Sequence, residues 1–284
     1  MKKVVNRKWI KILRIGILTC WHVLSLNGFS QNTPKYELLK TLEQKADFIT
    51  MDKLSNIYAR NNNILYKYSS DGELLHTYST FSKGKISGID ISNPFKIVVF
   101  YGDFMQIAIL DQKLASLQTI SGLSDLNLHL PTCVCASYDN GLWIYDEIAD
   151  QLFRYDANRN LSNKSMILRQ IWDKKVSPTY MKETASGLLV VSSKENGLLI
   201  FDRFGTYLMT ILIFADRLFF SEDTVFYVEG NELKSMNIKT LQQNSPPLPE
   251  PDILQVCLEN KKMTILTKDN NVRIYKVVSD HNEK

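Results

Sequence analysis

The chain has 284 residues, with 34 Lys and Arg against 30 Asp and Glu for a formal net charge of +4, and 44% of its residues are hydrophobic. Six of the cations and no acid fall in the first thirty residues (Lys2, Lys3, Arg7, Lys8, Lys11, Arg14), so the remaining 254 residues carry 28 cations against 30 acids, a net −2. That near-neutral balance excludes the electrostatic footprint of a nucleic-acid or anionic-lipid binder.

The cationic start leads into the apolar run Ile15 to Leu26 and the small-residue ending Gly28-Phe29-Ser30, the order of a secretory leader. The run contains His22 and falls short of the about 20 apolar residues that a spanning helix needs. Residues 1–30 therefore read as a cleavable leader cut before Gln31, with no membrane insertion afterwards. Cys20 follows Ile17-Leu18-Thr19, where a lipidation signal has a smaller residue than Thr, so cleavage is preferred to lipidation. The later cysteines, Cys133, Cys135 and Cys257, are odd in number and argue against a disulfide framework.

Residues 31–284 read as one domain built from a repeat. Tyr36 to Leu42 is a spare β-rich segment ahead of the first full unit, Leu65-Tyr66-Lys67-Tyr68, then Ser70-Asp71-Gly72, then Leu74-Leu75. Taking Tyr68, Leu110, Tyr155, Phe201, Met236 and Tyr275 as equivalent positions, the gaps are 42, 45, 46, 35 and 39, which is the period of a propeller blade. Each copy follows a second β-rich run and a polar turn rich in Asn, Asp and Gly, residues that tolerate the positive φ of hairpins. Candidate innermost strands lie upstream at Phe48 to Met51, Ile86 to Ile91, Thr132 to Ala136, Thr179 to Glu183, Ile213 to Asp216 and Ile253 to Leu258. The last unit ends in the polar stretch Ser279 to Lys284 and lacks an outer strand, which Tyr36 to Leu42 can supply. The expectation is all-β: a six-bladed β-propeller with four antiparallel strands per blade, its ring closed by the N-terminal strand.

The pattern resembles the six-bladed propellers of the NHL type, in which an aromatic residue, an Asp turn and a Gly punctuate each blade. The copies at Leu110, Tyr155 and Met236 lack the turn Gly. Such a resemblance speaks to fold and leaves function to the site.

Catalytic chemistry finds little support in the sequence. His76, His129 and His281 do not sit beside a nucleophile and a carboxylate in a triad pattern. Cys133 and Cys135 share one face of a strand with Cβ atoms about 7 Å apart, too far for a disulfide. With His129 they make three ligands where a closed zinc site takes four, so they read as buried packing residues. Six-bladed calcium-dependent lactonases place carboxylates at the channel mouth, and Asp90, Asp139, Glu183 and Asp216 lie near innermost strands, though without a shared register. The aromatic residues recurring at blade spacing read as inter-blade packing. Outside that register stand the proline stretch Ser245 to Pro251, read as a stiff connector, and Ile171-Trp172 in the longest blade-to-blade connection, the protein-interface candidates.

No catalytic, cofactor-binding or metal residue is assigned, and the expected activity is capture of a protein partner. A small propeller with a leader ending before Gln is similar to accessory proteins of the type 9 secretion system, one of which plugs the periplasmic end of an outer-membrane translocon. That resemblance implies a periplasmic protein associated with the translocon. The alternative is a calcium-dependent hydrolase or lyase acting on a lactone or sugar at the channel mouth.

Overall fold

The computed structural model describes residues 34–172 and 175–278. The leader expected over 1–30, with Cys20 inside it, and His281 lie outside the described residues. Among the described residues, twenty-four strands pair into six antiparallel four-stranded sheets, the blades of a propeller. Blade one is β2 to β5 (Phe48–Met51, Ile57–Asn61, Ile64–Tyr68, Leu74–Ser79), and blade two is β6 to β9 (Gly88–Asp90, Ile97–Tyr101, Gln106–Leu110, Ser116–Ile120). Blade three is β10 to β13 (Pro131–Ala136, Leu142–Asp146, Gln151–Tyr155, Leu161–Lys164), and blade four is β14 to β17 (Pro178–Glu183, Leu189–Ser193, Gly197–Phe201, Tyr207–Ile211). Blade five is β18 to β21 (Phe219–Ser221, Thr224–Glu229, Glu232–Asn237, Gln243–Asn244). Blade six takes β22 to β24 (Ile253–Glu259, Lys262–Thr267, Val272–Val278) and completes itself with β1 (Lys35–Thr41).

The closing strand pairs antiparallel with β24, Tyr36 opposite Val277 and Leu38 opposite Tyr275. The ring thus removes an edge that would otherwise stay unpaired.

Period-2 alternation explains why the middle strands read as unbroken apolar runs. In β15, Leu189 and Val191 pack with Cys135, Trp143 and Tyr145 of blade three, whereas Val190 between them packs with Val225 and Met236 of blade five. Six such clusters fill the seams between neighbouring blades around the ring. Where both faces of a middle strand are buried, as in β7 and at Leu189, Val190 and Val191 of β15, the strand is apolar on both, and Arg154, a polar side chain enclosed in the middle strand β12, is hydrogen-bonded. The blade-period aromatics sit in these seams: Tyr58, Phe100, Tyr145 and Phe201 are at most 1% exposed.

A shared turn follows the third strand. Asp111 Oδ1 accepts the N–H groups of Lys113 and Ala115, Asp156 those of Asn158 and Asn160, and Asp202 those of Phe204 and Thr206, all at 2.8 to 2.9 Å. Three residues after the Asp the chain turns left-handed, at Gly205 with φ 88° but also at Leu114 with φ 60° and Arg159 with φ 67°. The copies without a turn Gly keep the same geometry because the Asp bonds impose it.

One expected strand is corrected. The innermost strand of blade five is Phe219–Ser221, not Ile213 to Asp216. A two-residue turn, Glu222-Asp223 with Glu222 at φ 51°, joins it directly to β19. Residues 212–218 are then the connection between blades, with Leu212 74% and Phe214 54% exposed and Ile213 and Leu218 buried. The apolar alternation continues past the end of β17 at Ile213 and Ala215 and imitates a strand without having a partner to pair with.

Candidate functional site: the two mouths of the central channel

The innermost strands line a central channel with a cavity at either end. Loops joining first to second strands in all six blades surround the first, of about 470 Å³. The second, of about 360 Å³, opens between the starts of the innermost strands and the connections between blades.

Hydrogen bonds between blades dominate the first mouth. Asp90 at the end of β6 is 3% exposed. Its Oδ1 accepts the N–H of Ser92 at 2.7 Å and faces Lys182 Nζ of blade four at 3.3 Å, and its Oδ2 accepts the N–H of Ala136 of blade three at 3.0 Å. Lys182 also donates to Ser92 Oγ. Burial pushes the Asp90 carboxyl up, but the Lys182 charge and the Ser92 and Ala136 donors outweigh it and hold the pKa below the ordinary value. Glu183 Oε2 accepts Trp143 Nε1 at 2.9 Å and Ser137 Oγ at 2.8 Å, tying blade four to blade three. Arg154, 4% exposed, donates through Nε to Ser137 Oγ at 2.9 Å and through its Nη2 to Asp139 at 2.6 Å.

The four carboxylates singled out in the sequence therefore do not converge. Asp90, Asp139 and Glu183 each hold an internal partner near the first mouth, and Asp216 lines the second, where it faces Lys194 at 3.1 Å. Among the described residues no three His, Cys, Asp or Glu side chains group to hold a metal ion.

Cys133 and Cys135 lie buried in the seam between blades three and four, Cys133 also on the wall of the second cavity. Burial pushes the Cys133 thiol up to about 12 and the Cys135 and Cys257 thiols well above their ordinary range, as apolar surroundings do by disfavouring the thiolate. His129 is exposed, and its backbone N–H donates to Asp146. His76 is half-buried in the outer strand β5.

Ile171 and Trp172 are half-buried and pack on the seam of blades three and four. The Trp172 ring meets Tyr207 edge to face at 4.9 Å, so it has a packing partner that the sequence does not reveal. In the proline stretch, the Pro247 carbonyl accepts Tyr36 Oη at 2.6 Å and Glu250 pairs with Arg273, fastening the connector to blade six.

Around the first mouth the structure exposes aromatic residues that periodicity overlooked. Phe95, Tyr138 and Phe204, on loops of blades two, three and four, are 63%, 59% and 59% exposed. Their loops interlock: Lys96 Nζ donates to the Asn140 carbonyl, and Arg203 lies 5.1 Å from the centre of the Tyr138 ring, which Arg154 also approaches at 4.6 Å. The signal available in the sequence was position. Each of the three aromatics stands inside a polar turn, Asn93 to Lys96, Ser137 to Gly141 and Asp202 to Thr206, where no strand can bury it.

No family model and no curated protein matches the chain. Among solved structures it is similar to the Pan2 WD40 domain of Neurospora crassa, with a TM-score of 0.57 at 8% identity over 89% of this chain and 98% of that one. A mitotic checkpoint complex gives 0.56 at 12% identity over 88% and 93%. A virginiamycin B lyase from Staphylococcus aureus gives 0.53 at 14% over 86% and 88%. At these identities the likeness is one of fold: the chain is a β-propeller.

Proposed function

We propose that this propeller is a non-catalytic, protein-binding subunit of an exported bacterial assembly, seated on an outer-membrane translocon of the type 9 secretion kind. The observation that carries the protein-binding reading is the exposed set Phe95, Tyr138 and Phe204 on interlocked loops. Exposed aromatics on a rigid frame are enriched where proteins dock. The carboxylates beside it are occupied in holding blades together, which favours a scaffold over an acid-base pair. The likeness to a WD40 domain and to a component of a checkpoint complex is in keeping with this use of the fold. The leader pattern over residues 1–30 supports export.

The test is capture from envelope extract, identification of the bound protein, and titration of that purified protein against variants. Tyr138→Ala and Phe95→Ala weaken binding by about 2 kcal/mol, the size of a hot spot, while Asp216→Asn, at the opposite mouth, leaves it intact. Ile171 and Trp172 are proposed as a further contact. Trp172→Phe is the informative variant because it keeps the ring against Tyr207. Unchanged affinity in both Tyr138→Ala and Phe95→Ala refutes the reading.

The second reading, a calcium-dependent hydrolase or lyase, draws on the 470 Å³ mouth and on the likeness to a lyase. Ordered calcium on two or more of Asp90, Asp139 and Glu183 in a calcium-soaked crystal favours it.

A further inference from the structure

Two guanidinium groups meet at the second mouth. Arg60 of blade one is fully engaged: its Nε lies 2.6 Å from Asp47 Oδ1, its Nη1 donates to the Ile86 carbonyl at 2.9 Å, and it stands 5.2 Å over the Phe48 ring. Asp47 is engaged on both oxygens, because the other accepts the N–H of Asn62 at 2.7 Å. Asp216 is turned outward, 68% exposed, onto Lys194. Arg217, on the connection into blade five, is different. It is half-buried, donates through Nη1 to the backbone carbonyl of Asp47, and has no carboxylate within 4 Å among the described residues. Burial and then the neighbouring charge of Arg60 push its pKa down against the weaker opposing pull of Asp47 and Asp216, yet a guanidinium stays protonated in proteins.

The cavity lining carries Arg60 and Arg217 against Asp47 and Asp216, and of its two arginines Arg60 alone has a carboxylate within 4 Å among the described residues, since Asp216 turns to Lys194 outside the lining. A half-buried cation beside a second cation, with no carboxylate within salt-bridge distance, gains from an anion that comes into direct contact. The guanidinium fork matches a carboxylate in bidentate geometry. The cavity beside it, about 360 Å³ and lined by Ser87, Thr132 and Thr179 as well as the two arginines, falls in the range of small-ligand sites.

We infer that the second mouth of the channel is a carboxylate-binding site centred on Arg217, with Arg60 beside it and Thr132 and Thr179 on its wall. The occupant is a small organic acid or the free carboxyl terminus of a peptide, chemistry that the two sources share. A folded partner is too large for the cavity, so the site stands apart from the docking surface around Tyr138.

Calorimetric titration of the full chain with succinate, and with one tetrapeptide as free acid and as carboxyl-terminal amide, tests this directly. The free acids bind and raise the melting temperature, and the amide does not. Arg217→Met lowers affinity at least tenfold while the unliganded variant melts at or above the wild-type temperature, since it relieves the repulsion by Arg60. Arg217→Gln serves if the Met variant does not fold, and Lys53→Met, at the opposite mouth, binds as wild type. Preference for succinate identifies a small acid as occupant, and preference for the free-acid peptide identifies a chain terminus. The inference is overturned if neither acid binds, if the amide binds as well as the acid, or if the Arg217 variants bind undiminished.

Discussion

Lys182 of blade four reaches across the channel to Asp90 of blade two, Nζ to Oδ1 at 3.3 Å, with 17% and 2% of their side chains exposed. The pair joins non-adjacent blades through the centre of the ring, and its worth lies in not leaving either charge alone. Removing one member strands the other in a poorly solvated place. Lys182→Met lowers the unfolding free energy by about 3 kcal/mol, measured by urea denaturation, and adding Asp90→Asn to it restores a good part. A double variant as unstable as two independent losses would show that the two side chains do not interact.

The depressed pKa of Asp90 makes the ring sensitive to acid. Burial pushes the carboxyl up, and the Lys182 charge and the Ser92 and Ala136 donors more than reverse this. A carboxyl that titrates lower in the folded than in the unfolded chain contributes fully above about pH 4 and loses that contribution as the pH falls through the folded value. Wild-type urea midpoints decline below pH 4, and Asp90→Asn declines less steeply. Asp146, held down by the N–H groups of Ala149, His129, Leu130 and Ile148 against the opposing effect of its burial, contributes a second part of the same slope. Parallel slopes for wild type and Asp90→Asn refute the assignment.

Arg159 sits at φ 67° in an exposed turn where Gly205 occupies the equivalent place in blade four. The left-handed conformation costs a side-chain-bearing residue roughly 1–2 kcal/mol, partly offset by the extra freedom glycine has in the unfolded chain. Arg159→Gly therefore raises stability by about 0.5–1 kcal/mol. Gly205→Ala does the reverse, since a Cβ there meets the Ser165 nitrogen at 3.2 Å and the Trp143 ring at 3.3 Å. Calorimetric melting of both variants checks the pair.

Deleting residues 35–41 exposes the whole edge of β24, and deleting 279–284, outside the described residues, exposes no described strand. The first truncation melts far lower and aggregates, because an unpaired apolar edge invites intermolecular pairing. The second melts as the full chain does. Equal melting temperatures refute closure by the terminal strand.

The architecture was legible along the chain: blade period, Asp turns and the spare segment before Phe48 depend on local chemistry repeated in register, and each repeat reinforces the others. That legibility failed locally at Ile213 to Asp216, where alternation was present but the two-residue hairpin at Glu222-Asp223 had already claimed a neighbouring segment. What the charged residues do depends on how the blades close into a ring. Asp90, Glu183 and Asp216 look equivalent along the chain, yet the ring gives the first a lysine from across the channel, the second a tryptophan from the next blade, and carries the third to the opposite mouth. Arg60 and Arg217 are 157 positions apart and become neighbours because the ring brings the connection into blade five against blade one through the Asp47 carbonyl. Periodicity records which residues face a neighbouring blade, since that depends on strand alternation. It carries no record of which charges meet across the channel, because those distances are set by closure of the ring.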